Sequence, residues 1–373
     1  MDIQVRYAET ESEREAVYRL RYDIYNREMN LESPAVDHDR RVLTDANDDT
    51  ARILYATVDG ELAGTLRIHW GGDAPFPDEF EETYQFDHFR PVVADEEMVV
   101  FSRLMVRKEY RGSMVPVEFF AHIARFSIEQ GARLTFCDCQ PHLLNLYTMI
   151  GYRTYATTYN DIMMGLLVPL VVVVEDLAHF RAIGSPLLQF SGEDFRPDPP
   201  TDILALLPAA PTVQPVPGDA AADWARTFGL LAESHEETTT IFEGLSDDAV
   251  NQIMQRSFVI TCEKDDLVIQ KRAVDRTMFI VLAGLLEVRE GDRVVAVASR
   301  GDVLGELAFL LHGERLSDVY AASDDAKVLS LNEKAVMSLM EEQPAIAARL
   351  FLNLSRVVAA KVTSLYHQAT SSA

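Results

Sequence analysis

The sequence predicts a mixed-sheet α/β domain followed by a small antiparallel β-roll with flanking helices. Three observations support this: helix-like and strand-like patterns alternate over residues 10–175, prolines are concentrated in residues 197–217, and short apolar runs separated by turns follow from residue 241. Because proline favours extended chain, we interpret the proline-rich segment as a semi-rigid linker or a strap over a surface. We expect domains at 1–190 and 235–373, joined by a linker at 191–234.

The composition excludes several classes of protein. With 34 basic and 59 acidic residues the net charge is −25, which argues against a general nucleic-acid-binding surface because phosphate contacts need clustered lysines and arginines. The acidic N-terminus is unlike a signal peptide, and the longest apolar run, at 166–174, is too short to span a membrane. Three cysteines without partner motifs predict neither a disulfide framework nor a metal site. We expect a cytoplasmic protein.

The elements of the first domain follow from hydrophobic spacing. Val17, Leu20 and Ile24 recur at helical intervals within residues 10–29, and residues 51–70 form two strand-like runs around Asp59-Gly60. The remaining patterns predict a strand at 98–106, a helix at 116–130, a strand at 134–139, a short helix at 143–150 that Gly151 stops, and strand structure at 153–175.

A locally basic segment begins near the end of the strand at 98–106. Within residues 103–133 the basic side chains outnumber the acidic ones: Arg103, Arg107, Lys108, Arg111, Arg125 and Arg133 against Glu109, Glu118 and Glu129. Such a segment is either a set of solvated charges or a docking site for an anionic donor.

Several short motifs in this domain resemble one enzyme superfamily. LRYDIY at residues 20–25, GTLR at 64–67, SRLMV at 102–106 and NLYTMIGY at 145–152 follow in the order found in GCN5-related N-acetyltransferases (GNAT). Within that superfamily residues 1–190 look most like the N-acyl amino acid synthases and the acyl-homoserine-lactone synthases. The resemblance implies an N-acyltransferase that moves a fatty acyl group from a thioester donor to the amine of a small, amino acid-like acceptor.

The loop before the helix at 116–130 bears on the donor. A coenzyme A pyrophosphate needs close backbone amides, whereas Met114 and Pro116 stand where glycines are expected, and proline has no amide donor. An acyl carrier protein is acidic and presents phosphopantetheine with a single phosphate, so it suits a basic loop with few amides. We expect acyl carrier protein as the donor partner, with acyl-CoA as the alternative. The residues expected to bind it are Arg103, Arg107, Arg111, Gly112 and Ser113.

Candidate catalytic and acceptor residues follow from the chemistry of amide formation, which needs a base for the amine and an acid for the leaving thiolate. Tyr147 matches the acid of related acetyltransferases, yet it also lies on an apolar helical stripe, where it would simply pack. A glutamate expected two residues before Ser102-Arg103 is Val100, so the base is Glu97 or Asp138. Arg21 and Arg67 are placed either to bind an acceptor carboxylate or to form salt bridges. Arg21 and Arg67 therefore belong to the expected donor- and acceptor-binding residues.

The second domain contains a recognisable ligand-binding segment. GELAFLLHGER at 305–315 resembles the phosphate-binding cassette of cyclic-nucleotide-binding domains, and the likeness covers about 240–368. The resemblance implies that Glu306 binds the ribose hydroxyl and that Arg315 pairs with the cyclic phosphate. The expected nucleotide-binding residues are Gly305, Glu306, Leu307, Ala308, Arg315, Leu316 and Ser317. Leu316 offers no hydroxyl to a guanine, which favours cAMP as the regulatory ligand.

Three functions are consistent with this combination. The first is an N-acyltransferase that uses acyl carrier protein and responds to cAMP. The second is a cAMP-regulated protein lysine acetyltransferase that uses acetyl-CoA, and the third is a non-enzymatic, nucleotide-sensing interaction protein. A cAMP-responsive transcription factor is disfavoured because only about 40 residues follow the last strand, too few for a winged helix.

Overall fold

The computed structural model describes residues 2–28, 35–111, 113–161, 164–190, 195, 197–208, 213–215, 240–273, 276–324 and 326–371. Most of the expected linker and Gly112 of the basic loop lie outside these residues. The chain divides into two compact units. One unit comprises Met1–Cys139, Leu143–Tyr159 and Leu167–Pro211, and the other comprises Gln140–His142, Asn160–Leu166 and Thr212–Ala373.

A twisted mixed sheet forms the body of the N-terminal part. Its elements are β1 (Ile3–Tyr7), α1 (Glu11–Tyr22), β2 (Val36–Asp37), β3 (Val42–Leu43), β4 (Arg52–Val58), β5 (Glu61–Trp70), α2 (Asp78–Tyr84), β6 (Met98–Val106), α3 (Val115–Glu129), β7 (Leu134–Cys139), α4 (Leu144–Ile150), β8 (Arg153–Thr154), β9 (Tyr159–Asp161), β10 (Gly165–Val173), α5 (Leu177–Ile183) and α6 (Thr201–Leu204). The strand order is β1-β4-β5-β6-β7-β10-β8, with β9 beside β10. The predicted mixed sheet is confirmed, because β6–β7 is parallel and the other pairs along this order are antiparallel.

Helix α1 begins with a capping box. The Thr10 hydroxyl accepts a hydrogen bond from the Glu13 amide, and the Glu13 side chain accepts one from the Thr10 amide. These bonds satisfy amides that the first helical turn leaves unpaired. The helix then passes into a π-helical segment, Asp23–Glu28, so the single helix predicted over 10–29 is two segments of different pitch.

Glycine at position 64 allows α3 to pack closely on the sheet. A Cβ at Gly64 would lie 2.7 Å from the carbonyl oxygen of Met105 and 3.0 Å from the Phe119 ring. Phe119 is fully buried on the face of α3 that contacts the sheet. The glycine of the GTLR motif is therefore required by packing between β5, β6 and α3.

Strands β6 and β7 pair at their beginnings and then separate. Met98–Val100 is in parallel register with Leu134–Phe136, and the register ends there. On its other side β6 contains a bulge, because two residues of β6, Arg103 and Leu104, oppose the single residue Leu66 of β5. The separation opens a cleft between the second halves of β6 and β7.

An aromatic core fills one face of this sheet. It contains Phe76, Phe80, Tyr84, Phe86, Phe89, Phe136 and Tyr155. The segment at 197–208 packs against the same core, with Ile203 fully buried and Asp202 in an ion pair with Arg133 at 3.0 Å. Part of the proline-rich segment is thus a strap on the N-terminal unit, which was one of the two expectations for it.

The second unit is a β-roll with helices. Its elements are β11 (Val213–Pro215), α7 (Asp247–Met254), β12 (Phe258–Cys262), β13 (Leu267–Ile269), β14 (Thr277–Ala283), β15 (Leu286–Glu290), β16 (Arg293–Ala298), β17 (Val303–Leu304), α8 (Glu306–Leu311), β18 (Asp318–Ala321), β19 (Ala326–Asn332), α9 (Glu333–Glu342) and α10 (Pro344–Ser371). Two antiparallel sheets, β11-β12-β19-β14-β17 and β13-β18-β15-β16, form the roll. The predicted β-roll with flanking helices is confirmed.

Replacement of Gly64 with alanine tests the packing of α3. We expect Gly64→Ala to lower the free energy of unfolding by about 1–3 kcal/mol, because the added methyl group overlaps a backbone oxygen that cannot move without disturbing the bulge. Urea unfolding of the purified protein measures this change. Gly313→Ala is the control, since a Cβ there meets nothing within 4 Å. Equal stability of the two variants would contradict the packing argument.

Candidate functional site

A buried cluster of charges lies on the sheet face that carries the aromatic core. Three arginines come from different elements: Arg21 from α1, Arg67 from β5 and Arg103 from the bulge of β6. Two carboxylates belong to the short 3₁₀ turn Ala46–Asp48 that follows β3: Asp45 caps its beginning and Asp48 is its last residue. Arg21 and Asp48 are among the most buried charged residues of the protein.

Each aspartate binds two of the arginines. Arg21 Nη1 donates to both oxygens of Asp48, at 2.8 and 2.9 Å. Arg67 reaches both carboxylates, with Nη1 bonded to Asp45 and lying 3.3 Å from Asp48 Oδ1. Arg103 Nη2 bonds to the other oxygen of Asp45. The salt-bridge alternative for Arg21 and Arg67 is therefore observed.

The cluster still has unused donors and an excess of positive charge. Arg21 Nε and Nη2 and Arg103 Nε are buried and have no hydrogen-bond partner. Three guanidinium groups face two carboxylates, so the cluster has one positive charge in excess. In addition, each buried polar group without a hydrogen-bond partner destabilises the folded protein by about 1–3 kcal/mol. Burial is the main cause that lowers the pKa of Arg21. Burial acts to raise the pKa of Asp45, but the attraction of Arg67 and Arg103 outweighs it and leaves that pKa below its usual value. A further anion would balance this site.

The bulge places Arg103 in the site. Ser102 and Arg103 are consecutive, so in a regular strand their side chains would point to opposite faces. Here Ser102 Oγ accepts from Arg67 Nε at 3.0 Å and Arg103 bonds to Asp45, so both side chains serve the same cluster. In this position Arg103 has a left-handed backbone, with φ 54°. Its guanidinium lies 5.6 Å from the centre of the Tyr25 ring.

His69 is a further buried residue of this face, two positions after Arg67 on β5. Its Nε2 lies 2.8 Å from the carbonyl oxygen of Asn47, so Nε2 carries the hydrogen, and its Nδ1 is buried without a partner. Burial, followed by the charge of Arg67, lowers the pKa of His69 to about 4. The imidazole is consequently neutral at physiological pH.

Tyr147 lies on the opposite face, among other aromatic rings. Its ring is stacked on Phe101 with an interplanar angle of 7° and meets Phe120 and Tyr152 edge-on, at 5.4 and 5.7 Å between ring centres. Burial raises the pKa of Tyr147 well above its ordinary value, and nearby Cys137 adds to the effect. The phenol therefore stays protonated.

The two carboxylates considered as bases occupy different places. Asp138 is on β7 beyond the separation of the strands, and its Oδ2 accepts from the Tyr84 hydroxyl at 2.6 Å. Glu97 precedes β6 and caps its own turn through the Ala94 amide, at 2.9 Å. Because Arg103 follows Glu97 by six strand residues, about 20 Å separates them, and the structure does not bring Glu97 to the cluster.

The basic loop has few free amides. The Val115 amide donates to Ser113 Oγ at 3.2 Å, the Glu118 amide donates to Met114 O at 3.0 Å, and Pro116 has no amide hydrogen. Arg111 donates to the carbonyl of Val106 at 3.0 Å and pairs with Glu28, and Arg107 keeps a buried, unpartnered Nε. Gly112 lies outside the described residues.

An apolar cavity of about 30 Å³ adjoins the aromatic rings around Tyr147. Phe120 and Tyr152 line it together with residues of α3, β7, β10 and α5 and of the segments that follow β10 and α5: Ile123, Ala124, Ser127, Ile128, Thr135, Val172, Val174, Leu177, Phe180, Leu187 and Phe195. The hydroxyls of Ser127 and Thr135 bond to each other at 3.0 Å, so the polar atoms in the wall are paired. Such a space accepts an apolar group, and a chain longer than about one methylene requires its walls to move.

The cassette of the second unit is formed around Gly305. Gly305 has φ 76°, and a Cβ there would lie 2.0 Å from Arg315 Nη1. Arg315 is buried, donates from Nη1 to the Gly305 carbonyl at 2.8 Å and bonds through Nη2 to the Thr277 carbonyl. These bonds hold a buried guanidinium, a group that can pair with anions in bidentate geometry, beside the beginning of α8.

Glu306 is held by the last helix. Its Oε1 lies 2.9 Å from Lys361 Nζ on α10, and the same ammonium group donates to the Val303 carbonyl at 2.5 Å. Glu306 is buried, at the beginning of α8. The carboxylate expected to bind ribose thus also fixes the position of α10.

The other expected nucleotide residues surround these two. Leu307 and Ala308 form the first turn of α8, Leu316 is exposed, and Ser317 Oγ donates to Glu290 at 2.9 Å. Asp265 and Arg272 both have left-handed backbones, the conformation that favours glycine, with φ 70° and 68°. The structure brings all seven expected residues to one segment of the roll.

Sequence reasoning missed Asp45, Asp48, His69 and Lys361. The aspartates lie in a polar loop, TDANDD, whose charge predicts solvent exposure. His69 had one available signal, its position two residues after Arg67 on the same strand face. Lys361 had none, since its partner is 55 positions away.

Within the described ranges, no group of three or more His, Cys, Asp or Glu residues is arranged to hold a metal ion. In that same part of the chain, no helix combines the length and apolar character needed to cross a membrane.

Comparison with known proteins identifies both units. The family model of the N-acyl amino acid synthase FeeM matches residues 16–166, and the model of the cyclic nucleotide-binding domain matches residues 259–343. The chain therefore joins an N-acyl amino acid synthase-type domain to a cyclic nucleotide-binding domain. A search of the curated proteins found no match.

Solved structures resemble each part at low identity. FeeM, an N-acyl amino acid synthase from uncultured soil microbes, is 14% identical, with a TM-score of 0.40 over 51% of this chain and 98% of that chain. The CoA-dependent acyl-homoserine lactone synthase MesI is 19% identical, with a TM-score of 0.37 over 49% and 95%. A cyclic nucleotide-binding domain from Methylobacillus flagellatus is 12% identical, with a TM-score of 0.37 over 43% and 90%.

The depressed pKa of His69 predicts an acid-sensitive component of stability. The native imidazole stays neutral down to about pH 4, whereas in the unfolded chain it binds a proton below about pH 6.5. The unfolded state therefore binds more protons in this window, and stability falls as the pH decreases from 6.5 to 4, by up to about 3 kcal/mol. Urea unfolding at pH 7 and 4.5 should show a smaller pH effect in His69→Gln than in the wild type. An identical pH effect in both proteins would contradict this assignment.

Proposed function

We propose that the protein is a GNAT-type N-acyltransferase that transfers a fatty acyl group from acyl carrier protein to the amine of a small acceptor with a carboxylate, under control of cAMP. The observation that supports this most is the arrangement around the separated strands β6 and β7. A buried arginine cluster with unused donors lies on one face of the sheet, and Tyr147 with an apolar cavity lies on the other.

The acceptor binds on the arginine face. Its carboxylate satisfies the unpartnered nitrogens of Arg21 and Arg103, which removes the cost of leaving them buried and balances the extra positive charge. Asp45 and Asp48 fix the guanidinium groups before the acceptor arrives, so little side-chain entropy is lost on binding. A small amino acid-like amine meets these requirements.

The donor binds on the Tyr147 face. The acyl chain enters the apolar cavity beside Phe120 and Tyr152 and enlarges it by displacing wall residues. The amide-poor start of α3 suits phosphopantetheine better than a pyrophosphate, because two of its first amides are already bonded and Pro116 lacks one. The arginines of the loop meet the acidic carrier protein.

The chemistry takes place in the cleft between the two faces. The amine nitrogen attacks the thioester carbonyl carbon, a C–N bond forms, the C–S bond breaks, and Tyr147 gives its proton to the leaving thiolate. The raised pKa of Tyr147 keeps this proton available at neutral pH. A base on the acceptor face takes the proton that the amine nitrogen loses.

cAMP binds the cassette of the second unit. Its phosphate pairs with the guanidinium of Arg315, and its ribose hydroxyl donates to the carboxylate of Glu306. Because Glu306 also holds Lys361, nucleotide binding changes the environment of α10, and this is the step by which the ligand acts on the chain. A coupling of about 1–3 kcal/mol is typical of such control.

Production of the protein in a bacterium tests the proposal. Lipid extracts analysed by mass spectrometry should contain new N-acyl amino acids with the wild type and not with Arg103→Ala. Arg19→Ala is the matched control, since Arg19 is exposed on α1, where it pairs with Glu15. The purified protein, supplied with acyl carrier protein or CoA thioesters, with and without cAMP or cGMP, then identifies the donor and the regulator. An unchanged lipid profile and no thioester turnover would refute the proposed activity.

Removal of the Tyr147 hydroxyl tests its role as acid. Tyr147→Phe keeps the ring contacts with Phe101, Phe120 and Tyr152, so we expect a normal unfolding transition. Without the proton donor kcat should fall by about 100-fold to 10,000-fold, with little change in the KM of either substrate. Steady-state kinetics with a released-thiol assay measures this. Full activity of Tyr147→Phe would leave the residue with packing alone.

Replacement of Lys361 tests its connection to the cassette. Lys361→Met keeps the apolar stem and removes the ammonium group, so α10 loses a partly buried ion pair with Glu306. We expect backbone amides near residue 361 to exchange hydrogen about tenfold faster in the nucleotide-free protein, which corresponds to about 1.4 kcal/mol. Hydrogen exchange with mass spectrometry measures this, with the exposed Lys264→Met as control. Unchanged exchange would show that Lys361 does not hold the helix.

A further inference from the structure

The acceptor face contains one buried group with a free lone pair. Because Nε2 of His69 donates its hydrogen to the Asn47 carbonyl, the neutral ring has its unprotonated nitrogen at Nδ1. That atom is buried and unpartnered, and the side chain as a whole is 3% exposed. A buried acceptor without a donor is costly, so its retention calls for an explanation beyond packing.

The position of His69 connects it to the cleft. It follows Arg67 by two residues on β5, so both side chains project from the same face of the sheet. Across the sheet its register partner is Val100 of β6, the last residue at which β6 and β7 are paired. His69 therefore lies next to the point where the two strands separate and the cleft begins.

The charged groups around the ring permit a proton to be accepted. Burial and then Arg67 oppose protonation, whereas the bond to the Asn47 carbonyl and the charges of Asp45 and Asp48 favour it. The element packed on the other side, α2, contributes the apolar ring of Phe80 at 5.0 Å between ring centres. The neutral ring is available to begin the reaction, and an adjacent carboxylate stabilises the imidazolium that forms. Asp138, by comparison, already accepts the Tyr84 hydroxyl.

From this geometry we infer that His69 is the general base of the proposed acyl transfer, with Nδ1 as the accepting atom. This inference rests on the proposed function and assigns the base that it needs. As the amine nitrogen bonds to the thioester carbonyl carbon, its N–H proton passes to Nδ1, while the thiolate leaves with the proton of Tyr147. Between turnovers the imidazolium loses its proton to solvent and the Tyr147 phenolate regains one, so no further reactant is consumed.

Kinetics of His69→Gln test this assignment. Glutamine places an amide N–H where Nε2–H is and has no basic nitrogen, so it preserves the bond to Asn47 and removes the proton acceptor. We expect kcat to fall by about 100-fold to 10,000-fold with the KM of the acceptor changed less than about threefold. A wild-type kcat in His69→Gln would overturn the inference.

A second variant separates a base from a structural residue. Val100 and His69 are directly opposite on one face, with Cβ atoms about 5 Å apart, so a glutamate at 100 brings a carboxylate to the same place. We expect the double variant His69→Gln, Val100→Glu to regain at least about tenfold of the lost kcat. Val99→Glu in the same background is the matched control, because residue 99 points to the other face and should restore nothing.

The outcomes distinguish a failure of the proposed function from a failure of the role assigned to His69. If the wild type makes no acyl amide, the proposed function fails and the role of His69 fails with it. If the wild type is active and His69→Gln is equally active, only the role of His69 is overturned. The same holds if the double variant shows a normal unfolding transition and regains no activity. Loss in His69→Gln with recovery at position 100 and not at 99 supports the inference.

Discussion

Two carboxylates, the buried Asp48 and the partly buried Asp45, hold three guanidinium groups in the N-terminal unit, and the rest of that site depends on this pairing. Asp45 and Asp48 come from one short turn, whereas Arg21, Arg67 and Arg103 come from a helix and two strands. Burying an arginine is unfavourable unless its charge is compensated, so the turn, α1 and the sheet must adopt their positions together. With three guanidinium groups against two carboxylates, this compensation is incomplete.

The separation of β6 from β7 opens a cleft beside this cluster. Parallel pairing ends at Val100, and the bulge at Arg103 turns a side chain toward the cluster that alternation would send to the other face. The end of the β6–β7 pairing opens the cleft, and the bulge of β6 against β5 places Arg103 in the cluster. The left-handed backbone of Arg103 fits this interpretation, because strained residues persist where the surrounding structure fixes them.

The sequence was informative where local chemistry decides the structure. The hairpin around Asp59-Gly60, β6, β7 and the cassette at 305–315 follow from apolar spacing and glycine placement, and they have the bounds expected or nearly so. Strand β1 and helix α2 were not predicted. Strand β1 is short and half-exposed, and α2 has only 7 residues, several of them acidic. The stretch 153–175 contains three strands because apolar content alone does not show where pairing stops.

The residues of the candidate site were harder to predict than the fold. Arginines in motifs were found, but their partners Asp45 and Asp48 are distant in sequence and lie in a loop whose polarity is usual for an exposed segment. The proline-rich stretch was also ambiguous from the sequence, which left a linker and a strap as alternatives. Because Ile203 is fully buried in the aromatic core and Asp202 pairs with Arg133, an N-terminal fragment ending at 190 would present an open apolar groove to solvent. Any attempt to produce this half separately should extend through residue 208, or the fragment will aggregate through the surface that this segment covers.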